Sequence, residues 1–437
     1  MMRVLDLRGQ QPDRSAMLTL IPRHTGDSES AHAAARDLVD EVRRGGEAVL
    51  RSHAERFDRV SGHNIRVPRE HLKQALTELS PELRGALENA IHRVRTATTA
   101  QLPSEAVTSF GAGASVTQRW LPVERVGLYV PGGKAVYPSS VVMNVVPAQV
   151  AGVTSIALVS PPQEAFGGRI HPTILAAAEL LGVTEVYAMG GASAIGALAY
   201  GVSELDLAPV SVITGPGNQY VAAAKRYVRS HVGIDSEAGP TEILIIADSS
   251  ANPRFVAADL ISQAEHDELA SAVLVTDSPE LVDAVSRELV ALVDATAHSQ
   301  RVGIALGGAQ SALVVVDNLD VAVDFSNAYG PEHLEVQTRE NERLVPRLVN
   351  AGAVFVGDYS PVSLGDYSAG SNHVLPTGGH SAFSSGLGAY TFLRAQQVVE
   401  YSSQGLRDVS AGLQTLANNE ALPAHGEAVA VRFENES

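Results

Sequence analysis

The sequence predicts an α/β fold in two domains, and three observations carry that expectation. From residue 126 short apolar runs alternate with glycine-rich turns and helical stretches. The same rhythm restarts at residue 242. The length, 437 residues, exceeds what one core usually organises. Alternation of this kind predicts mostly parallel sheets with helices on their faces.

Residues 1–28, with Pro12, Pro22 and Gly26, read as an irregular N-terminal arm. Ala31, Ala34, Ala35, Leu38 and Val42 then recur at helical spacing, with Gly45-Gly46 as a stop. Helices are expected over 70–79 and 81–97, the second capped by Ser80 with Pro81 in its first turn. The first alternating region predicts strands over 126–130, 155–160, 185–189 and 210–213. Its helices are expected over 139–150 and 171–181, after Gly191, and from Asn218 to about Arg229. The second predicts strands over 242–247, 272–276, 312–316 and 352–356, and helices over 253–266 and 281–292. From residue 388 the tail reads as helical and then extended. The expected division is therefore an arm (1–28), one α/β domain (29–125 with 242–387), a second (126–241), and a tail (388–437).

Composition narrows the function classes. A net charge of −17 repels phosphate backbones, and 5% aromatic residues with the single Trp120 leave few stacking surfaces, so nucleic acid is not an expected partner. The N-terminus has no apolar core of signal-peptide length and no uncharged run reaches membrane-spanning length, so a cytoplasmic location off the membrane is expected. There are no cysteines, which excludes disulfides, thiolate metal sites and cysteine nucleophiles.

Parallel sheets place ligands at the carboxyl ends of their strands. Three glycine-rich loops fall there: Pro131-Gly132-Gly133, Gly190-Gly191-Ala192-Ser193 and Gly215-Pro216-Gly217-Asn218. Singly, each reads as a turn; three on successive strand ends point to a ligand site. None has the G-x-G-x-x-G spacing. The two domains are therefore expected to be Rossmann-like with incomplete dinucleotide-binding character.

Several polar residues are candidates for chemistry. Gln263 and His266 lie three apart on a helix end, a spacing that shares a face. Asp366 follows the strand over 352–356 in a loop, and His425 lies near the C-terminus. In isolation each is a surface or capping group. Their side chains are nonetheless the types zinc takes when thiolates are absent, and no H-E-x-x-H signature of a zinc peptidase is present. Glu332-His333 sets a carboxylate beside an imidazole after Gly330-Pro331, either an acid–base pair or a solvated loop. His373 and Glu420 are further loop candidates. His53, His92 and His298 are assigned no role.

Taken in order, GLYVPGG (127–133), GPGN (215–218), AGPTEILIIAD (238–248), ISQAEHD (261–267), GPEHLE (330–335), GDYSAGSNHVLPTGG (365–379) and LPAHGEAV (422–429) resemble the histidinol dehydrogenase family, from about residue 30 to Arg432. The resemblance implies oxidation of L-histidinol through the aldehyde to L-histidine, with two NAD and one Zn2+ per subunit. Gln263, His266, Asp366 and His425 would be the metal ligands, and Glu332 and His333 the catalytic acid–base pair. Thr241, His333, His373 and Glu420 would contact substrate together with the metal ligands. Tyr129, Ser193 and Asn218 would line the NAD site. Thr241 stands where the family has Ser, and Ser193 where Gln is common. The family forms homodimers with an exchanged C-terminal tail, so Glu420 and His425 would come from the neighbouring subunit and each active site would be shared. A relative acting on another small alcohol, and a non-catalytic zinc or dinucleotide binder on the same scaffold, are the competing readings.

Overall fold

The computed structural model describes residues 2–10, 13–23, 29–132 and 136–434. Pro12 and Gly26 of the expected arm and Gly133 of the first glycine loop lie outside the described residues. The chain divides into two compact units. One runs through Gln101 and over Glu124–Phe392; the other comprises Leu102–Val123 and the chain from Leu393. The described strands are β1 (Arg3–Asp6), β2 (Ala106–Gly111), β3 (Ala114–Pro122), β4 (Arg125–Tyr129), β5 (Ser155–Ser160), β6 (Glu185–Ala188), β7 (Val212–Thr214), β8 (Gly233–Ile234), β9 (Glu242–Ala247), β10 (Ser271–Thr276), β11 (Ala312–Val315), β12 (His333–Gln337), β13 (Ala353–Val356) and β14 (Leu393–Tyr401).

The first unit is mixed α/β with two parallel sheets. One has the order β1-β11-β10-β9-β12-β13. Its central strands β9 and β10 are buried at every residue, as an apolar run must be where helices cover both faces of a parallel sheet. Alternate β9 residues serve opposite faces. Ile243 and Ile245 pack with Val256 and Leu260 of helix Pro253–Ala264, whereas Leu244 and Ile246 pack with Phe325 and Tyr329 of helix Leu319–Tyr329. The other sheet has the order β6-β5-β4-β7-β8. Its chain moves outward from β4 to β6 and returns beside β4 as β7. That reversal creates a switch point at the carboxyl ends of β4 and β7.

The N-terminal region is not the irregular arm the sequence suggests. Residues 3–6 form an edge strand parallel to β11, from Arg3 opposite Ala312 to Asp6 opposite Val315, and Asp13 caps a helix over Arg14–Leu20. Nothing local marks a four-residue strand whose partner lies so far along the chain. Gly45-Gly46 does interrupt the first long helix: Gly46, at φ 54 and ψ −134, leaves helical geometry, and a second helix continues across the kink to His53 before a π-helical turn at Ala54–Asp58. The sequence groups this helix with the 242–387 region, but it packs on helices Gly191–Tyr200 and Gln219–Val228 of the five-stranded sheet. There Ala35, Val39 and Leu50 join Ile195, Leu198 and Val221 in one core.

The second unit holds an antiparallel sheet, β14-β3-β2, and helices Ser403–Asn419 and Pro423–Ala430. The tail is thus extended first and helical afterwards, the reverse of the expected order. LRAQQVVEY of β14 is rich in helix formers, yet it pairs with β3 along its whole length; cross-strand pairing overrides local propensity. Among the described residues no helix is long and apolar enough to cross a membrane.

Candidate active site

A polar cluster gathers at the amino ends of β9 and β12, which pair with His333 opposite Ile243. Helix Leu319–Tyr329 ends at Gly330, φ 61, a left-handed cap that turns the chain into Pro331 and Glu332. Glu332 therefore precedes the strand that His333 opens. Successive residues within a strand would face apart; here both side chains converge on Glu242. The Glu332 carboxylate accepts from the Thr241 hydroxyl at 2.6 Å and from the Glu242 amide at 2.9 Å. His333 Nδ1–H donates to the Glu242 carbonyl at 3.0 Å, so the neutral ring presents Nε2 as a base. His333 Nδ1 lies 3.5 Å from Glu332 Oε2. The two residues are only 6% and 5% exposed. Burial pushes the Glu332 carboxyl up to about 7, against the lowering effect of Thr241 and the Glu242 amide. Burial also pushes the His333 imidazole down. Each group is moved toward its uncharged form.

Gln263 sits in the last turn of helix Pro253–Ala264, begun by the Asn252 cap and Pro253. Its Nε2 donates to the Thr241 hydroxyl at 2.5 Å, while its buried Oε1 has no hydrogen-bond partner among the described residues. His266 follows just beyond the helix. Asp366 lies on a short helix, Val362–Tyr367, and not on the loop expected from sequence. His373 Nδ1–H donates to the Asp366 carbonyl at 3.1 Å, and its Nε2 accepts from the Ser140 hydroxyl at 3.1 Å. Burial lowers the His373 imidazole, with Asp366 opposing. His266 lowers and Asp366 raises the Glu332 carboxyl, so both lie within electrostatic reach of it. Thr241, Gln263, His266, Glu332, His333, Asp366 and His373 thus share one neighbourhood.

Among the described residues no three His, Asp or Glu side chains stand close enough to hold a metal ion together. The chemistry of the donors still fits zinc: an amide oxygen, an imidazole and a carboxylate, without thiolate. The orphaned Gln263 oxygen fits as well, because a buried acceptor is nearly always paired. Glu420 and His425 belong to the second unit. Glu420 caps helix Ser403–Asn419 and His425 lies on helix Pro423–Ala430, both exposed.

The glycine loops occupy the carboxyl ends of the five-stranded sheet. Tyr129 ends β4, and its hydroxyl accepts from the Gly191 amide at 3.2 Å. Asn218 caps helix Gln219–Val228, accepting from the amides of Tyr220 at 3.0 Å and Val221 at 3.2 Å. The Ser193 hydroxyl is bonded to His53 Nδ1 at 2.7 Å, and His53 Nε2 meets Glu41 at 2.9 Å. The two halves of this unit are tied together where Asn372 donates to the Met143 carbonyl at 2.7 Å and His373 meets Ser140.

Sequence reasoning missed four contributors: Arg23, Glu242, Ser140 and His53. Glu242 had a legible signal, a carboxylate opening an otherwise apolar strand. Burial pushes it up to about 7, and Arg23 opposes that shift. The Arg23 guanidinium donates to Glu242 Oε2 at 3.2 Å and lies 3.8 Å from the Tyr329 ring centroid. Only tertiary folding brings it there.

Comparison with known proteins matches the chain to a family. A family model described as histidinol dehydrogenase matches residues 21–433. A histidinol dehydrogenase from Leifsonia xyli subsp. xyli is 63% identical over 433 residues, covering 99% of each chain. One from Corynebacterium diphtheriae is 53% identical, over 100% of this chain and 98% of its own. The crystal structure of histidinol dehydrogenase from Elizabethkingia anophelis superimposes with a TM-score of 0.93 at 33% identity, over 99% of this chain and 98% of that one. Likeness of this depth over the full length leaves one assignment: the chain belongs to the histidinol dehydrogenase family.

Proposed function

We propose that the protein oxidises L-histidinol through L-histidinal to L-histidine, the last step of histidine biosynthesis, with two NAD per substrate and one zinc ion per subunit. The observation that carries this reading is the buried Glu332–His333 pair beside the unpartnered oxygen of Gln263. Gln263, His266, Asp366 and His425 are the proposed metal ligands. Thr241, His333, His373 and Glu420 contact substrate with them, and Tyr129, Ser193 and Asn218 line the cofactor site. The parallel strands of residues 126–241 and their glycine loops support a Rossmann-like, incomplete dinucleotide site there. The exposure of Glu420 and His425 supports an exchanged tail that completes the neighbouring subunit's site in a homodimer.

When bound, zinc would hold the substrate imidazole and amino nitrogens without redox chemistry, and NAD would accept a hydride in each of two steps. The chain's own groups manage the protons. His333, with Nδ1 tied to the Glu242 carbonyl, takes the alcohol proton at Nε2 as the first hydride leaves. With no cysteine in the chain, a thiohemiacetal cannot form, so water adds to the aldehyde. Glu332 accepts a proton from that water. The protonated His333 returns its proton to the aldehyde oxygen as the hydrate forms, and, neutral again, it serves as base when the hydrate loses the second hydride. Holding the reactants in place supplies up to ~7–11 kcal/mol of such barriers in ideal cases.

The acidic surface and absence of a membrane-spanning helix among the described residues fit a cytoplasmic enzyme without nucleic-acid partners. The test is stoichiometry. Two NADH should appear per histidinol consumed, with the activity abolished by a chelator and restored by zinc. A single NADH per histidinol, or indifference to the chelator, would overturn the reading.

A further inference from the structure

Lys225 and Asp235 take no part in the chemistry above, yet they form an ion pair with side chains only 2% and 4% exposed. Lys225 lies on helix Gln219–Val228, and Asp235 directly follows β8. Both hold the same residue. Lys225 Nζ donates to the Gly215 carbonyl at 3.0 Å, and the Gly215 amide donates to Asp235 Oδ2 at 2.8 Å. Asp235 Oδ1 also accepts from the Ser236 amide at 2.7 Å.

Gly215 opens the loop Gly215-Pro216-Gly217-Asn218 at the switch point between β4 and β7. Its φ is 116, and an added Cβ would lie 2.0 Å from the Tyr129 carbonyl oxygen. Its backbone is therefore pressed against the end of β4 on one side and held at amide and carbonyl by a buried ion pair. Such a pair seldom outdoes apolar residues of equal volume in stability, because both ions must be desolvated. Here one hydrogen bond from each member ends on the glycine that sets how β7 passes to the helix and where Asn218 caps it.

We propose that Lys225 and Asp235 are a positioning pair that holds the Gly215–Asn218 loop in the shape that receives the dinucleotide. This rests on the NAD-binding role proposed for that loop. A cofactor site prepared in advance avoids the ordering cost on binding, so losing the pair should weaken cofactor affinity more than substrate affinity.

The test is Lys225→Met combined with Asp235→Asn. Removing both charges leaves no lone ion buried, and Asn keeps an acceptor for the Gly215 amide. Circular dichroism and Tm report the fold, NADH fluorescence titration reports affinity, and steady-state kinetics separates KM for NAD from KM for histidinol. The folded variant should show Kd for NADH and KM for NAD raised about tenfold or more, with KM for histidinol within about twofold. A folded variant with wild-type NADH affinity overturns the proposal. If the double variant does not fold, Lys225→Gln combined with Asp235→Asn, which also removes both charges but keeps polar side chains, is judged by the same two outcomes. Asn218→Ala tests the underlying reading separately. Unchanged NADH affinity there would remove the cofactor from this loop and the proposal with it. Lost affinity there beside an unaffected double variant would sink the positioning pair alone.

Discussion

Glu332 and His333 differ by one position and by their proposed roles. The carboxylate is bound to the Thr241 hydroxyl and the Glu242 amide, while the imidazole gives its Nδ1 proton to the Glu242 carbonyl. If Glu332 serves only the hydration step, Glu332→Gln should leave histidinol-to-histidinal oxidation nearly intact and slow histidinal oxidation by about 10²-fold or more. Assaying the two half-reactions separately checks this, and equal losses would refute the division. A second buried carboxylate, Glu335, lies farther along β12. Gln337 Nε2 donates to both Glu335 and Asp259, at 3.2 Å each. Burial holds Glu335 well above its usual range and raises Asp259 to about 6. A raised carboxyl binds its proton more tightly folded than unfolded. Its stabilising effect is complete below the unfolded value, 3.8 for Asp259, and is lost as pH climbs through about 6. Glu335 follows the same sign from its own usual value of 4.5 upward, so as pH rises above ~4 the wild type should lose Tm relative to Glu335→Gln, which lacks that titration. Melting temperatures that stay parallel for the two proteins as pH rises would contradict the raised Glu335.

Among the elements, β9 joins stability to function. It is buried at every residue, and Thr241 and Glu242 at its start hydrogen-bond Glu332 of the proposed acid–base pair. Ile245 is 0% exposed and packs under helix Pro253–Ala264, which carries Gln263. Ile245→Ala should lower unfolding free energy by about 2–5 kcal/mol, as large-to-small core changes do, measured by denaturant titration. A loss below about 0.5 kcal/mol, within the range of surface substitutions, would mean that this strand is not the packed centre. Most elements of the first unit were legible because their signals are local. Apolar runs closed by glycine mark the strands, and caps such as Ser80 and Asn218 mark helix starts. β1 and β14 were not legible, because each is a strand only by virtue of a distant partner.

For the whole molecule, the proposed sharing of sites makes a quantitative claim. If His425 of one subunit completes the site of the next, an E332Q subunit paired with an H425N subunit carries one site with both defects and one with none. Refolding an equal mixture should then restore overall activity to about a quarter of wild type, since half the dimers are mixed and each has one intact site. Recovery no greater than the sum of the parent variants would show that each subunit works alone. In the same framework, His425→Asn by itself should lower bound zinc as well as activity, read by metal analysis; full zinc loading would remove His425 from the ligand set.

The α/β class, the positions of most strands and helices, the exclusion of thiol chemistry and the residues worth watching were all legible in the chain. Each of these is written locally, in periodicity, caps, glycines and composition. The polar cluster was legible as a set of names but not as a place. Only tertiary structure brought Glu332 and His333 onto the edge of β9, left the Gln263 oxygen unpartnered, moved Arg23 onto Glu242, and set the helix over 29–53 against the five-stranded sheet. The physical reason is that burial and hydrogen-bond partners across hundreds of residues depend on how the sheets pair. That pairing is decided by summed packing over whole faces, and no local stretch of sequence states it.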